Sequence, residues 1–216
     1  MMAKKVIVSF SGGKDSMLSL HKAIQDGFEP IAIMTTINNT KGESWFHNIS
    51  IDHLKQVSSS LGIPLLLVEC SGENYELSFE NALKTMKDLG AEGCVFGDID
   101  IEEHRTWCSD RCNNINLTPI FPLWNGNREE LVKEFISLGY KAMIKKVNLK
   151  NMGMEFLGET LSIDLLEKIK MTGSDVCGEN GEYHTFVYDG PLFSREIQIE
   201  ILEKQSSENI GWLMVC

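Results

Sequence analysis

Hydrophobic and polar positions alternate along the first half of the chain in two distinct rhythms. Short continuous apolar runs, Val6 to Phe10, Ile31 to Ile37, Leu65 to Val68 and Gly93 to Gly97, have the length and β-branched content of strands buried on both faces. Between them lie longer segments with apolar residues three and four apart. Ser16 to Gln25 places Leu18, Leu20, Ala23 and Ile24 at helical spacing, and Gly27 ends it. Ile49 to Leu61 carries Leu54, Val57 and Leu61, stopped by Gly62-Ile63-Pro64, and Glu76 to Leu89 carries Leu83, Met86 and Leu89. Buried strands alternating with amphipathic helices predict βαβ units, and right-handed crossovers make these a doubly wound parallel sheet, an α/β/α sandwich of Rossmann-like type.

The alternation fails near Pro122-Leu123-Trp124. A nucleotide-type domain over residues 1–122 and a smaller C-terminal α+β lobe over 123–216 are therefore expected. The second part predicts a helix at Arg128 to Leu138, a strand at Ala142 to Val147, a helix near Ile163 to Lys170 and a glycine-rich stretch at Cys177 to Glu182. Ile197, Ile199 and Ile201 alternate with Gln198 and Glu200, the period of a half-exposed antiparallel strand.

Composition narrows the functional classes. Lysine and arginine total 20 against 31 aspartate and glutamate, a formal charge of −11 over 216 residues. General binding to a phosphate backbone, which rests on cations displacing counterions, is disfavoured. No window approaches the ~20 apolar residues of a membrane span, and the N-terminus lacks the pattern of a signal peptide. The six cysteines (Cys70, Cys94, Cys108, Cys112, Cys177, Cys216) are scattered, so reduced thiols and a cytoplasmic location are expected. His104, Cys108 and Cys112 fall at i, i+4 and i+8, a spacing that could line one helix face. Without a fourth ligand or paired Cys-x-x-Cys, packing thiols are the preferred reading.

The sharpest chemical signal is Ser9-Phe10-Ser11-Gly12-Gly13-Lys14-Asp15-Ser16, between the first strand and the first helix. Paired glycines let successive N–H groups converge, and the helix N-terminus adds partial positive charge, which together suit phosphate. A Walker A loop would need glycine where Val8 stands and Ser or Thr where Asp15 stands. Ser11 and Ser16 offer hydroxyls, Lys14 a compact charge, and Asp15 a carboxylate for Mg²⁺ or for positioning the loop.

This loop resembles the pyrophosphate (PP) loop of the ATP pyrophosphatases, the group of GMP synthetase, NAD synthetase, argininosuccinate synthetase and the tRNA-thiolating enzymes. The resemblance implies that the loop holds the β- and γ-phosphates and leaves the α-phosphorus open to attack. Further segments narrow it: Ser44-Trp45-Phe46-His47-Asn48, Gly97-Asp98-Ile99 with His104-Arg105-Thr106-Trp107, Pro122-Leu123-Trp124, Phe156-Leu157-Gly158, Cys177-Gly178-Glu179-Asn180-Gly181-Glu182-Tyr183-His184-Thr185 and Asp189-Gly190-Pro191-Leu192-Phe193. With the glycine loop these resemble the diphthine-ammonia ligase family, from Lys5 to about Ile201. Gly97-Asp98-Ile99-Asp100-Ile101-Glu102-Glu103-His104-Arg105 and Tyr183-His184-Thr185 depart from archaeal and eukaryotic members and look like a bacterial branch.

The resemblance implies ATP-driven amidation of a carboxylate by ammonia, with ATP and Mg²⁺ as cofactors and AMP and pyrophosphate as products. On this reading Ser9, Ser11, Gly12, Gly13, Lys14, Asp15, Ser16, His47 and Gly97 bind nucleotide. His104, Glu179, Glu182, His184 and Thr185 bind the acceptor side. Lys14 and Arg105 stabilise charge at the α-phosphate, Asp15 holds the metal, and Glu179 and Glu182 form an acidic pocket for ammonium with His184 as a base. His47 is equally open to a structural role, and Trp107 and Trp124 are read as packing residues. Expected partners are a small-molecule or protein-bound carboxylate, ammonia and a second copy of the chain as a homodimer. The sequence is also compatible with two alternatives. One is a non-catalytic adenine-nucleotide sensor. The other is a tRNA-modifying PP-loop enzyme, supported by the basic cluster Lys141, Lys145, Lys146 and Lys150.

Overall fold

The computed structural model describes residues 3–38, 40 and 42–216. β1 (Lys5–Ser9) leads through the glycine loop into α1 (Lys14–Gln25), then β2 (Glu29–Asn38) and the two-residue β3 (Glu43–Ser44). α2 (Ile51–Leu61), β4 (Leu65–Cys70), α3 (Tyr75–Asp88) and β5 (Gly93–Val95) follow. α4 (Glu102–Asn113) and β6 (Thr118–Ile120) complete the first sheet. Its parallel strands lie in the order β4, β2, β1, β5, β6, with β3 antiparallel to the end of β2.

Strand residues alternate between two apolar layers. Val6 and Val8 of β1 face the cluster that holds Met17, Leu18 and Leu20 of α1 and Leu54 and Val57 of α2. Ile7, with Met34 of β2 and Cys94 of β5, faces Phe79, Leu83 and Met86 of α3 and Cys108 and Cys112 of α4. The sheet is therefore buried on both faces, as its continuous apolar strands require. The chain runs outward from β1 through β2 to β4, then returns to β5 on the other side of β1. That reversal puts a ligand crevice beyond the carboxyl ends of β1 and β5.

The remainder contains α5 (Arg128–Ser137), β7 (Lys141–Asn148), α6 (Ile163–Met171), β8 (Tyr183–Asp189), β9 (Ile201–Ser207) and β10 (Ile210–Val215). Its four strands form an antiparallel sheet in the order β8, β7, β10, β9. β8 is clamped onto the glycine loop. The Val187 N–H donates to Gly12 O at 2.9 Å and the Lys14 N–H donates to Thr185 Oγ1 at 3.0 Å. The apolar layer under α1 and α2 continues without a break into Ile144, Phe186 and Leu213 of this second sheet.

Three elements differ from the pattern in the sequence. The Ile197, Ile199, Ile201 run is not one strand: 196–200 carries no strand and β9 begins at Ile201. Ile197 is still buried and its N–H donates to Tyr188 O, so the alternation reports burial of one side of an irregular segment. α4 has no apolar stripe, since among its twelve residues only Cys108 and Cys112 are buried. β6 is three residues with Pro119 at its centre, which suits its place on the sheet edge.

Candidate active site

A cavity of about 530 Å³ opens at the switch point between β1 and β5, within the size range of small-molecule sites. Its floor is the glycine loop, with Ser9, Ser11, Lys14, Asp15 and Ser16 on the lining, and Gly97 and Asp98 beyond β5 form the adjoining wall. Gly97 is required there by space. A Cβ on it would lie 3.0 Å from the backbone of Asp15 and Ser16, so any larger residue pushes the loop off the end of β5. Phe46, Tyr75, Phe79, Phe96 and Trp107 make an aromatic side wall, and Gly178, Glu179, Gly181, Tyr183, His184 and Thr185 close the cavity from the second sheet.

The glycine loop folds by its own hydroxyls. Ser16 Oγ donates to Gly13 O at 2.9 Å, Ser11 Oγ lies 3.2 Å from Ser16 Oγ, and Gly12 takes φ +83°. α1 has no side-chain cap from its own N-cap, Gly13. Thr185, 171 residues away, supplies one instead through its bond from the Lys14 N–H. Thr185 thus acts on the helix terminus, and its carbonyl oxygen also accepts from His47 Nδ1 at 2.8 Å. That bond fixes the proton on Nδ1 and leaves Nε2 as an acceptor.

Lys14 is buried, with Nζ 2.8 Å from Asp15 Oδ2 and 5.5 Å from the centre of the Tyr183 ring. Burial opposes its charge. Asp15, backed by Cys177, Tyr183 and Glu179, outweighs that penalty, and the ammonium is held well above the ordinary lysine range. Burial lowers His47 to about 4, and it lowers His184 to about 2 together with His47, Lys146 and Lys14. The two rings pack edge to face at 4.8 Å. Both are neutral near pH 7, and so weakly basic a His184 is a poor proton acceptor, contrary to the role its position in the sequence suggests.

Glu179 has the opposite character. Burial, then the neighbouring Asp15, raise its carboxyl to about 8, partly opposed by Lys14 and Arg128. Its own N–H donates to Asp175 Oδ2, and Asp175 is held by Arg128 Nη1 at 2.6 Å. Arg128 also grips both oxygens of Asp100 and so ties the loop after β5 to the 175–182 loop. Glu182 departs from the expected pairing with Glu179. Its carboxylate turns into its own loop, accepting from the N–H groups of Asp175 and Asn180 and from Asn180 Nδ2, and it shapes the loop instead of facing the cavity.

The ionisation of Glu179 has a sign that can be measured. A free glutamate ionises near 4.5 and the folded one near 8. Between those values the unfolded chain holds fewer protons than the folded chain, so this residue's contribution is complete below about 4.5 and is lost as pH rises to about 8. Glu179→Gln is expected to remove that decline and to melt higher than the parent at pH 8 to 9. Parallel melting-temperature profiles for the two proteins would refute the raised value.

Arg105 is not on the cavity lining. Its guanidinium lies 4.5 Å from the Trp124 ring and 5.7 Å from that of Phe121, where stacking and not phosphate engages it. His104 does line the cavity, with Nδ1 3.5 Å from Asp98 Oδ1, and Cys108 Sγ sits 3.7 Å from Asp98 Oδ2. Asp98 is the ionisable residue that motif reasoning passed over. Burial raises its carboxyl, and His104 partly offsets this. Trp107, read from sequence as a packing residue, belongs to the aromatic wall, while Cys112 is buried in the apolar layer and joins no ligand set with His104.

For Mg²⁺, the relevant donors are oxygens. Asp15, Cys177 and Glu179 place ligand atoms within 4.8 Å of one another. The two carboxylates fit a cation that takes one or two such groups together with substrate phosphates, and the Cys177 sulfur does not.

A doubly wound sheet with this loop at its switch point defines a nucleotide-binding protein of the PP-loop class. Comparison with known proteins carries the assignment further. Residues 4–119 match the diphthamide synthase N-terminal domain and residues 127–216 the diphthamide synthase C-terminal domain. The chain belongs to the diphthamide synthase family, ATP-dependent carbon–nitrogen ligases of the PP-loop kind. It is 29% identical over 225 residues to the diphthine–ammonia ligase of Mus musculus, covering 92% of this chain and 84% of that one. It is 25% identical to the Schizosaccharomyces pombe diphthine–ammonia ligase, covering 94% of this chain and 38% of that one. Among solved structures, a predicted subunit of tRNA methyltransferase from Methanocaldococcus jannaschii aligns at a TM-score of 0.47 and 16% identity, over 89% of this chain and all of that one.

Proposed function

We propose that the cavity joins ammonia to a carboxylate through an acyl adenylate. The loop from Ser11 to Ser16 cradles the β- and γ-phosphates, with Lys14 as the buried cation beside them. Asp15 provides the carboxylate for Mg²⁺, which when bound neutralises charge on the phosphate oxygens. An oxygen of the acceptor carboxylate attacks the α-phosphorus and pyrophosphate leaves. Ammonia then adds to the acyl carbon, AMP leaves, and the amide remains. Ammonium must lose a proton before it attacks. Glu179, raised to about 8, accepts that proton in its ionised form, so this step speeds up as pH rises towards 8.

The observation that carries this reading is Lys14 and Glu179 together on the lining of one cavity at the switch point. The names of the relatives point to a diphthine-type carboxylate as acceptor. The tRNA reading loses its support, because the basic cluster is not a patch. Lys145 is buried with Nζ donating to Leu213 O, and Lys141 pairs with Asp189 and Glu196.

Product analysis with Mg-ATP, ammonium and a panel of carboxylic acids that includes diphthine tests the proposal. Expected are AMP and pyrophosphate in equal amounts with the amide. Release of ADP and phosphate would reject it.

A further inference from the structure

We propose that Asp15, Cys177 and Glu179 form a site for a zinc-class divalent cation inside the nucleotide cavity, and that this cation and Mg-ATP exclude each other. Cys177 is fully buried, and its Sγ lies 3.8 Å from Asp15 Oδ1. The other oxygen, Oδ2, is engaged by Lys14. Oδ1 is thus the oxygen presented to the sulfur. Glu179 brings a third ligand atom, and all three lie within 4.8 Å of one another.

Zinc bonds to sulfur at about 2.3 Å and to carboxylate oxygen at about 2.0–2.2 Å, so tetrahedral geometry sets sulfur and oxygen about 3.6 Å apart. Cys177 and Asp15 already stand near that spacing, and Glu179 reaches it by a side-chain adjustment. The backbone beneath is set beforehand. Asp175 accepts from the N–H groups of Cys177 and Glu179, and Glu182 accepts from those of Asp175 and Asn180. Asp15 and Glu179 line the cavity, so the fourth position of such an ion would open towards it.

Binding forms one metal–sulfur and two metal–oxygen bonds and releases to solvent the Cys177 thiol proton and, below about pH 8, the Glu179 carboxyl proton. Two carboxylates and a thiolate then balance Lys14 and a divalent cation, which relieves the repulsion that raises Glu179. Thiolate is a soft ligand that magnesium and calcium do not seek, so the same pocket separates zinc-class ions from the cation carried by ATP. Asp98, Cys108 and His104 do not offer an equivalent site, because the thiol and the imidazole approach opposite oxygens of Asp98. The metal site does not depend on the ligase reading; its exclusion by Mg-ATP rests on the nucleotide binding in that reading.

Cobalt(II) titration of the full chain, reduced and free of nucleotide, tests it. A near-ultraviolet sulfur-to-cobalt charge-transfer band is expected, saturating at one ion per chain, displaced by Zn²⁺ and suppressed by saturating Mg-ATP. Cys177→Ser should lose the band and Cys108→Ser should keep it, with circular dichroism confirming that both variants are folded. No band in the parent protein, a band lost in Cys108→Ser and kept in Cys177→Ser, or a band indifferent to Mg-ATP would each overturn the proposal. Failure of amide formation in the product assay would leave these outcomes untouched.

Discussion

Lys14→Met is expected to lower the rate of pyrophosphate release by about two to three orders of magnitude. Methionine keeps most of the aliphatic body that is packed in the cavity floor and removes only the charge. What is lost is a cation that lies 2.8 Å from Asp15 and is held protonated against its own burial by Asp15, Cys177, Tyr183 and Glu179. Its work is greatest when negative charge grows on the phosphates, so the loss should fall on kcat more than on KM for ATP, and excess ATP should not restore it. A second consequence follows from the same electrostatics. With Lys14 gone, nothing as close opposes the influence of Asp15 on Glu179, and the carboxyl of Glu179 should rise further above 8. Steady-state kinetics across pH read both effects. Activity within tenfold of the parent would show that Lys14 does not face the reacting phosphates.

The parallel half of the fold was legible because burial on both faces leaves a direct mark. β1, β2 and β4 are built around short, predominantly apolar runs, and α1 and α2 carry apolar residues at helical spacing. Where burial is slight the mark fades. α4 is a helix built of charged and polar residues that meets the core through Cys108 and Cys112 alone, so hydrophobic periodicity had nothing to report. Local chemistry was legible on the same terms. The Ser11 to Ser16 loop announces itself because phosphate binding needs glycines and a helix start within a few residues. The second sheet's share of the site is different, because it depends on distant segments meeting. Thr185 capping α1 and Arg105 lying on Trp124 are decided by packing across 171 and 19 positions of sequence, and Glu182 by how its own loop folds back on it. Side-chain type at those positions is compatible with either role, and only the tertiary neighbour selects one.

His47 joins the two halves of the site, and Gly13→Ala should expose how. The backbone at Gly13 is extended, with φ −90° and ψ 173°, which alanine adopts freely. The obstacle is the neighbour. An added Cβ would lie 2.3 Å from His47 Cε1 and 2.9 Å from its Nδ1. The ring has little freedom to yield, since Nδ1 is bonded to Thr185 O and the ring packs edge to face against His184. Either the His47–Thr185 bond breaks or the phosphate loop moves by about 1 Å, a displacement that costs about a hundredfold in kcat/KM for ATP. The two explanations separate in a double-variant cycle. If the imidazole is the wall, Gly13→Ala combined with His47→Ala should be no worse than His47→Ala alone, because the space for the methyl group is then free. Independent, additive losses would mean that Gly13 is needed by the phosphates themselves, through the N–H groups its flexibility presents, and not by the histidine that braces the loop against β8.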